Sequence, residues 1–218
     1  MTKKRPIDQL IDVMAKLRSP EGCPWDREQD HMSLRFHAVE EVYELMDAIE
    51  AGDDHEMLEE LGDLLLQVVF HCQLARERKA FDFDQACTRI VEKLVRRHPH
   101  VFGDSKVKTV DGVWAQWEQI KKAEKHGTRH HRPSALDGIP KHLPALLRAE
   151  KLLKKARKAG LIGRKNGVSL RKKILAQSLF DLAAMAQKKG WSAEELLRGE
   201  IQRQEKALRK KEASNSNA

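Results

Sequence analysis

Between Arg35 and Arg76 the chain has no lysine or arginine, yet two sets of carboxylates, Glu40-Glu41-x-x-Glu44 and Glu60-x-x-Asp63, stand inside apolar runs. Val39, Val42, Leu45, Met46 and Ile49 surround the first set, and Leu61, Leu64, Leu65, Leu66, Val68, Val69 and Phe70 surround the second. Residues three apart on an α-helix share a face, so Glu41 converges with Glu44 and Glu60 with Asp63. Solvated acidic faces are usually balanced by cations one turn away, and this stretch supplies none. Four acids aimed at one point raise one another's pKa and destabilise the fold unless a cation joins them.

The rest of the sequence fits an all-α chain. Leu, Ala, Lys, Glu and Arg dominate, aromatic residues make up only 5%, and β-branched runs are short. Apolar spacing predicts a first helix through Ile7, Leu10, Ile11, Met14 and Leu17, then helices over about 33–51 and 55–78 that carry the two acidic sets. Gly52-Asp53-Asp54 breaks between them, so the two are expected to form an antiparallel hairpin. Further helices are predicted over about 84–97, around Trp114 to Ile120, over about 144–159 and 169–189, and after the capping box Ser192-x-x-Glu195. The polar, His- and Pro-rich stretch before Pro140 reads as a linker. The resulting layout is a catalytic-type domain over 1–125, a linker over 126–140, a basic helical region over 141–212 and a disordered tail over 213–218.

Charge divides with that layout. Residues 1–140 hold 21 Lys and Arg against 26 Asp and Glu, a balance of −5, whereas residues 141–218 hold 20 against 7, a balance of +13. Three scattered cysteines without C-x-x-C spacing predict reduced thiols rather than a disulfide framework or zinc site. The longest uncharged apolar stretch, Leu64 to Leu74, is shorter than the roughly 20 residues a bilayer span needs, and the N-terminus lacks a signal-peptide core. A cytoplasmic chain without a membrane partner is expected.

Carboxylate-only ligation selects hard cations, and few ligands with room for water suit Mg²⁺, or Mn²⁺, better than a Ca²⁺ cage. A di-iron bundle would want Glu-x-x-His pairs, and the single one, Glu28-x-x-His31, lies outside both acidic sets.

With Gly22-Cys23-Pro24-Trp25-Asp26, Glu60-Leu61-Gly62-Asp63-Leu64-Leu65, Arg96-Arg97-His98-Pro99-His100-Val101-Phe102, Trp117-Glu118-Gln119-Ile120-Lys121 and Ser134-Ala135-Leu136-Asp137-Gly138-Ile139-Pro140 in order around the acidic sets, the chain resembles the MazG nucleoside triphosphate pyrophosphohydrolases across about residues 6–150. The resemblance implies an all-α MazG-like helical bundle, a homodimer, and Mg²⁺-dependent cleavage of a nucleoside triphosphate to a monophosphate and pyrophosphate. It implies metal ligation by Glu41, Glu44, Glu60 and Asp63. Glu40, rotated about 100° from Glu41 on the helix, is the candidate for orienting or deprotonating the attacking water.

Lys93 and Arg97 stand four apart on one helical face and can grip phosphate oxygens together; the family pattern places phosphate contacts there. Trp117 matches a position near the nucleotide, and His37, one turn before Glu41, can approach substrate. The chain departs from longer members, which carry two acidic signatures: here Leu179-Phe180-Asp181-Leu182 is only a remnant echo of Leu61-Gly62-Asp63-Leu64, so the second part reads as a degenerate repeat. The competing reading is a non-catalytic helical module that binds nucleotide or nucleic acid. Charges spread along helices with Trp191 the only Trp or Tyr after residue 141 argue against nucleic acid as a partner.

Overall fold

The computed structural model describes residues 4–124, 127–128, 132–163 and 171–216. Among them are ten helices: α1 (Pro6–Leu17), α2 (Pro24–Glu28), α3 (His37–Ala51), α4 (Asp54–Glu77), α5 (Phe83–Arg97), α6 (Pro99–Phe102), α7 (Val110–Ala123), α8 (Ala145–Lys158), α9 (Lys172–Lys188) and α10 (Ala193–Ser216). The described residues contain no strand. The chain divides into two compact units, the first ending at Trp117 and the second beginning at Glu118.

The first unit is organised by the α3–α4 hairpin. Gly52 closes α3 in the left-handed conformation, φ 68°, and Asp53 then opens α4, its carboxylate accepting from the backbone N–H groups of His55 and Glu56. That pairing of a left-handed glycine cap with an aspartate N-cap reverses the chain in a few residues. α1 packs on α4, joining Met14 to Leu34, Val69, Phe70 and Leu74 in a core edged by Ile7, Leu10, Ile11, Leu66 and Phe83. The expected helix over about 33–51 begins at His37 instead, because Asp30 accepts the N–H groups of Met32 and Ser33 and holds the preceding residues in turns. A capping box between Asp82 and Gln85 starts α5.

The second unit is built on α8 and α10, with Leu136, Ala145, Leu152, Ala156, Leu161 and Ile201 as its core. The stretch expected to be a linker is anchored to this core by Leu136, which is 1% exposed. It is also tied down by polar contacts: Ala135 N–H donates to Glu212 (2.8 Å), and Arg209 pairs with Asp137 (2.8 Å). α10 runs on to Ser216, four residues into the stretch read as a disordered tail. The expected start of the helix over 169–189 lies outside the described residues, and α9 begins at Lys172.

Candidate metal centre

Each acidic residue reaches the centre through helical register. Glu41 and Glu44 project one turn apart from α3, Glu60 and Asp63 one turn apart from α4, and the antiparallel hairpin sets the two pairs face to face. Ligand oxygens of Glu41, Glu60 and Asp63, all half-buried, lie within 4.8 Å of one another. Glu44 is exposed at their edge, and its charge bears on both Glu41 and Glu60.

The electrostatics are those of an anion nest. Burial first, then the neighbouring carboxylates, push the pKa of Glu60 above its ordinary value; burial and the charges of Asp63 and Glu44 do the same to Glu41, against a lowering hydrogen bond from Gln67. One carboxylate oxygen of Glu60, Oε2, is buried without a hydrogen-bond partner. Three converging carboxylates, one of which has a buried, unsatisfied oxygen, suit a hard divalent cation: opposite oxygens around Mg²⁺ stand about 4 Å apart, so small rotamer shifts would close the set.

Gln67 is a member of this site that the residue pattern did not single out. It is buried, one turn beyond Asp63, and its Nε2 donates to Glu41 Oε1 at 3.3 Å, orienting that carboxylate across the helix pair. The stripe continues to His71, whose Nδ1 stands 2.9 Å from Nδ1 of His31 with the two rings stacked. Glu60, Asp63, Gln67 and His71 thus follow one another at helical spacing along α4, and that spacing was the available signal.

The remaining candidates fall in other groups. Glu40 is exposed and faces His37, with Oε2 3.6 Å from the ring Nδ1; His37 in turn meets the edge of Trp25 at 6.2 Å. Arg97 is buried, 8% exposed, with its guanidinium 5.7 Å from the centre of the Trp117 ring, while Lys93, one turn earlier on α5, is exposed. The His98 ring bonds the Leu94 carbonyl at 2.6 Å, which closes the end of α5 rather than serving a metal. Asp181 accepts from Gln177 at 2.9 Å and belongs to no converging ligand set among the described residues. The residues of a second set, His55, Glu56 and Glu59, are all exposed at the start of α4.

Fold and site define an all-α protein organised around an interhelical carboxylate cluster. The family model described as the MazG nucleotide pyrophosphohydrolase domain matches residues 29–102, which span both acidic sets, α5 and α6. The chain is 49% identical over 155 residues to the nucleoside triphosphate pyrophosphohydrolase of Escherichia coli (strain K12), covering 71% of this chain and 58% of that protein. It is 47% identical over 154 residues to the nucleoside triphosphate pyrophosphohydrolase/pyrophosphatase MazG of Thermotoga maritima, again covering 71% and 58%. An uncharacterized 26.1 kDa protein of Streptomyces cacaoi is 42% identical over 195 residues, 87% of this chain and 75% of that one. The chain belongs to the MazG family. It spans about three-fifths of the length of the E. coli and T. maritima relatives.

Proposed function

We propose that the first unit hydrolyses nucleoside triphosphates between the α and β phosphates, releasing a nucleoside monophosphate and pyrophosphate. The observation that carries the reading is the convergence of half-buried Glu41, Glu60 and Asp63 across the α3–α4 hairpin, with Glu44 at their edge. These four carboxylates would hold Mg²⁺, or Mn²⁺, which when bound would offset part of the triphosphate's charge and lower the pKa of a coordinated water. Gln67 keeps Glu41 turned toward α4. Glu40 orients the water or takes its proton as the α-phosphorus–oxygen bond to the leaving pyrophosphate breaks. Lys93 and Arg97 bind phosphate oxygens, Trp117 stacks on the base, and His37 approaches the substrate from the start of α3.

Dimerisation belongs to the same reading. Val42, Met46 and Ile49 on α3 and Leu58, Leu61 and Leu65 on α4 are exposed, and a second copy of the hairpin would cover them by completing a four-helix bundle. The second unit, with Asp181 as its only acidic remnant, would serve a non-catalytic role. Three free thiols fit the reducing cytoplasm, where the nucleotide pool lies, and no described helix is long and apolar enough to cross a membrane.

The test is product analysis. Purified chain with Mg²⁺ is given a panel of standard and damaged nucleoside triphosphates, and phosphorus NMR follows the products. Monophosphate plus pyrophosphate from at least one substrate is expected; diphosphate plus orthophosphate, or no turnover across the panel, overturns the proposal.

A further inference from the structure

The second unit carries a ligand-sized groove of about 650 Å³ that the carboxylate site does not use. Its wall is made by one face of α10, where Glu205, Lys206, Arg209 and Lys210 recur at helical spacing, together with Arg148 from α8 and Lys141 from the segment before α8. Five of these six side chains are cationic. The single carboxylate, Glu205, is consumed from within: Arg148 holds one of its oxygens at 2.7 Å and Arg209 the other at 2.8 Å. Arg209 also reaches Asp137 at 2.8 Å, so the two arginines are fixed in place by acids. Lys141, Lys206 and Lys210 have no carboxylate partner among the described residues.

Arg148 lies deep in the wall of the groove. Its side chain is only 8% exposed, yet its Nε–H is buried without a hydrogen-bond partner. A buried donor left unmatched is costly and uncommon in folded proteins. A concave wall with five cationic side chains against Glu205 and Asp137, three of them exposed ammonium groups, suits a compact, multiply charged oxyanion.

We infer that this groove is a binding site for an oligophosphate group, a di- or triphosphate either free or borne on a nucleotide, distinct from the carboxylate centre of the first unit. No aromatic side chain lines it, so it offers no platform for stacked bases, and recognition is of the phosphates. The pinned arginines supply the preorganised part of the site, and Lys206 and Lys210 close over the anion from the exposed face of α10.

The experiment is calorimetric titration of the full chain with inorganic pyrophosphate, with ATP and with adenosine. It is done in EDTA, where the first unit's carboxylates repel phosphate rather than bind it through metal. Pyrophosphate or ATP is expected to bind while adenosine does not. Equal affinity for the two anions marks a free oligophosphate as sufficient, and a preference for ATP marks the nucleotide-borne group. The double variant Lys206→Glu, Lys210→Glu should weaken binding at least tenfold, as loss of two charge-assisted contacts requires. Lys154→Glu with Lys158→Glu, the same charge change on the exposed part of α8, should leave affinity within about twofold, the small effect expected of screened surface charge. Circular dichroism establishes that both variants fold. The inference is overturned if neither anion binds at millimolar concentration, if the two double variants weaken binding equally, or if a DNA duplex binds and pyrophosphate fails to displace it.

Discussion

Gln67 shows how much of the site depends on a neutral residue. Its amide donates to Glu41 from α4, and ligand-orienting partners of this kind typically carry a 10- to 100-fold effect on metal affinity. Gln67→Leu keeps the volume and removes the donor, so Mn²⁺ affinity followed by electron paramagnetic resonance should fall by about that factor; unchanged affinity would mean that Glu41 is held by other means. Farther along the stripe, His31 and His71 share one hydrogen bond that requires one ring to accept. Burial, and then the neighbouring His31, hold the pKa of His71 below its ordinary value of 6.5. A depressed folded-state value means that the unfolded chain takes up the proton first. The stability this gives is present above pH 6.5 and is lost as pH falls through the folded value. Urea midpoints should therefore drop on acidification from pH 6.5 down to the folded value, and His71→Gln should flatten the slope there by up to about one proton. An unchanged slope would contradict the role assigned to the pair. The carboxylates were legible in the sequence because acids at i and i+3 inside apolar runs are conspicuous. Gln67 and His71 were not, since neutral polar residues on a helix look like solvent-facing filler until the opposing element is in place. Arg97 was legible as a basic residue one turn after Lys93, but its burial against Trp117 was not.

The register of the α3–α4 hairpin decides whether the acids meet, and two adjacent residues control it. Gly52 has φ 68° with nothing within 4 Å of where a Cβ would stand, so the cost of Gly52→Ala is conformational rather than steric, about 1–2 kcal/mol. Asp53→Ala removes a cap that accepts two backbone N–H groups and should cost about 1 kcal/mol. Both are measurable from urea unfolding, and a change below about 0.3 kcal/mol in either would show that tertiary packing, not the turn, sets the reversal. Helix existence and the hairpin could be read from periodicity and from Gly52-Asp53. The start of α3 could not, because the competing signal is local side-chain bonding by Asp30. Nor could the end of α10, whose last residues, Ala213 to Ser216, have the composition of a frayed tail yet continue the helix.

At the level of the whole chain, the charge contrast between −5 and +13 marks two parts in the residue order itself, though the units divide at Trp117 rather than in the polar stretch. The difference arises because Leu136 and Asp137 belong to the packing and ion pairs of the second unit, which a His- and Pro-rich composition conceals. Exposed apolar residues on α3 and α4 predict self-association: sedimentation should give about twice the 25.0 kDa monomer mass, and Met46→Asp with Leu61→Asp should return it to the monomer. A wild-type monomer at micromolar concentration would contradict the dimer. The proposed function requires Glu41 and Glu60 to hold the metal through which a triphosphate is cleaved. It is tested most directly by comparing pyrophosphate release in Mg²⁺ by the wild type with release by Glu41→Gln and Glu60→Gln, each checked for helical content by circular dichroism. Release by the wild type and none by either folded variant is the predicted result; variants that release pyrophosphate at the wild-type rate would contradict the assignment.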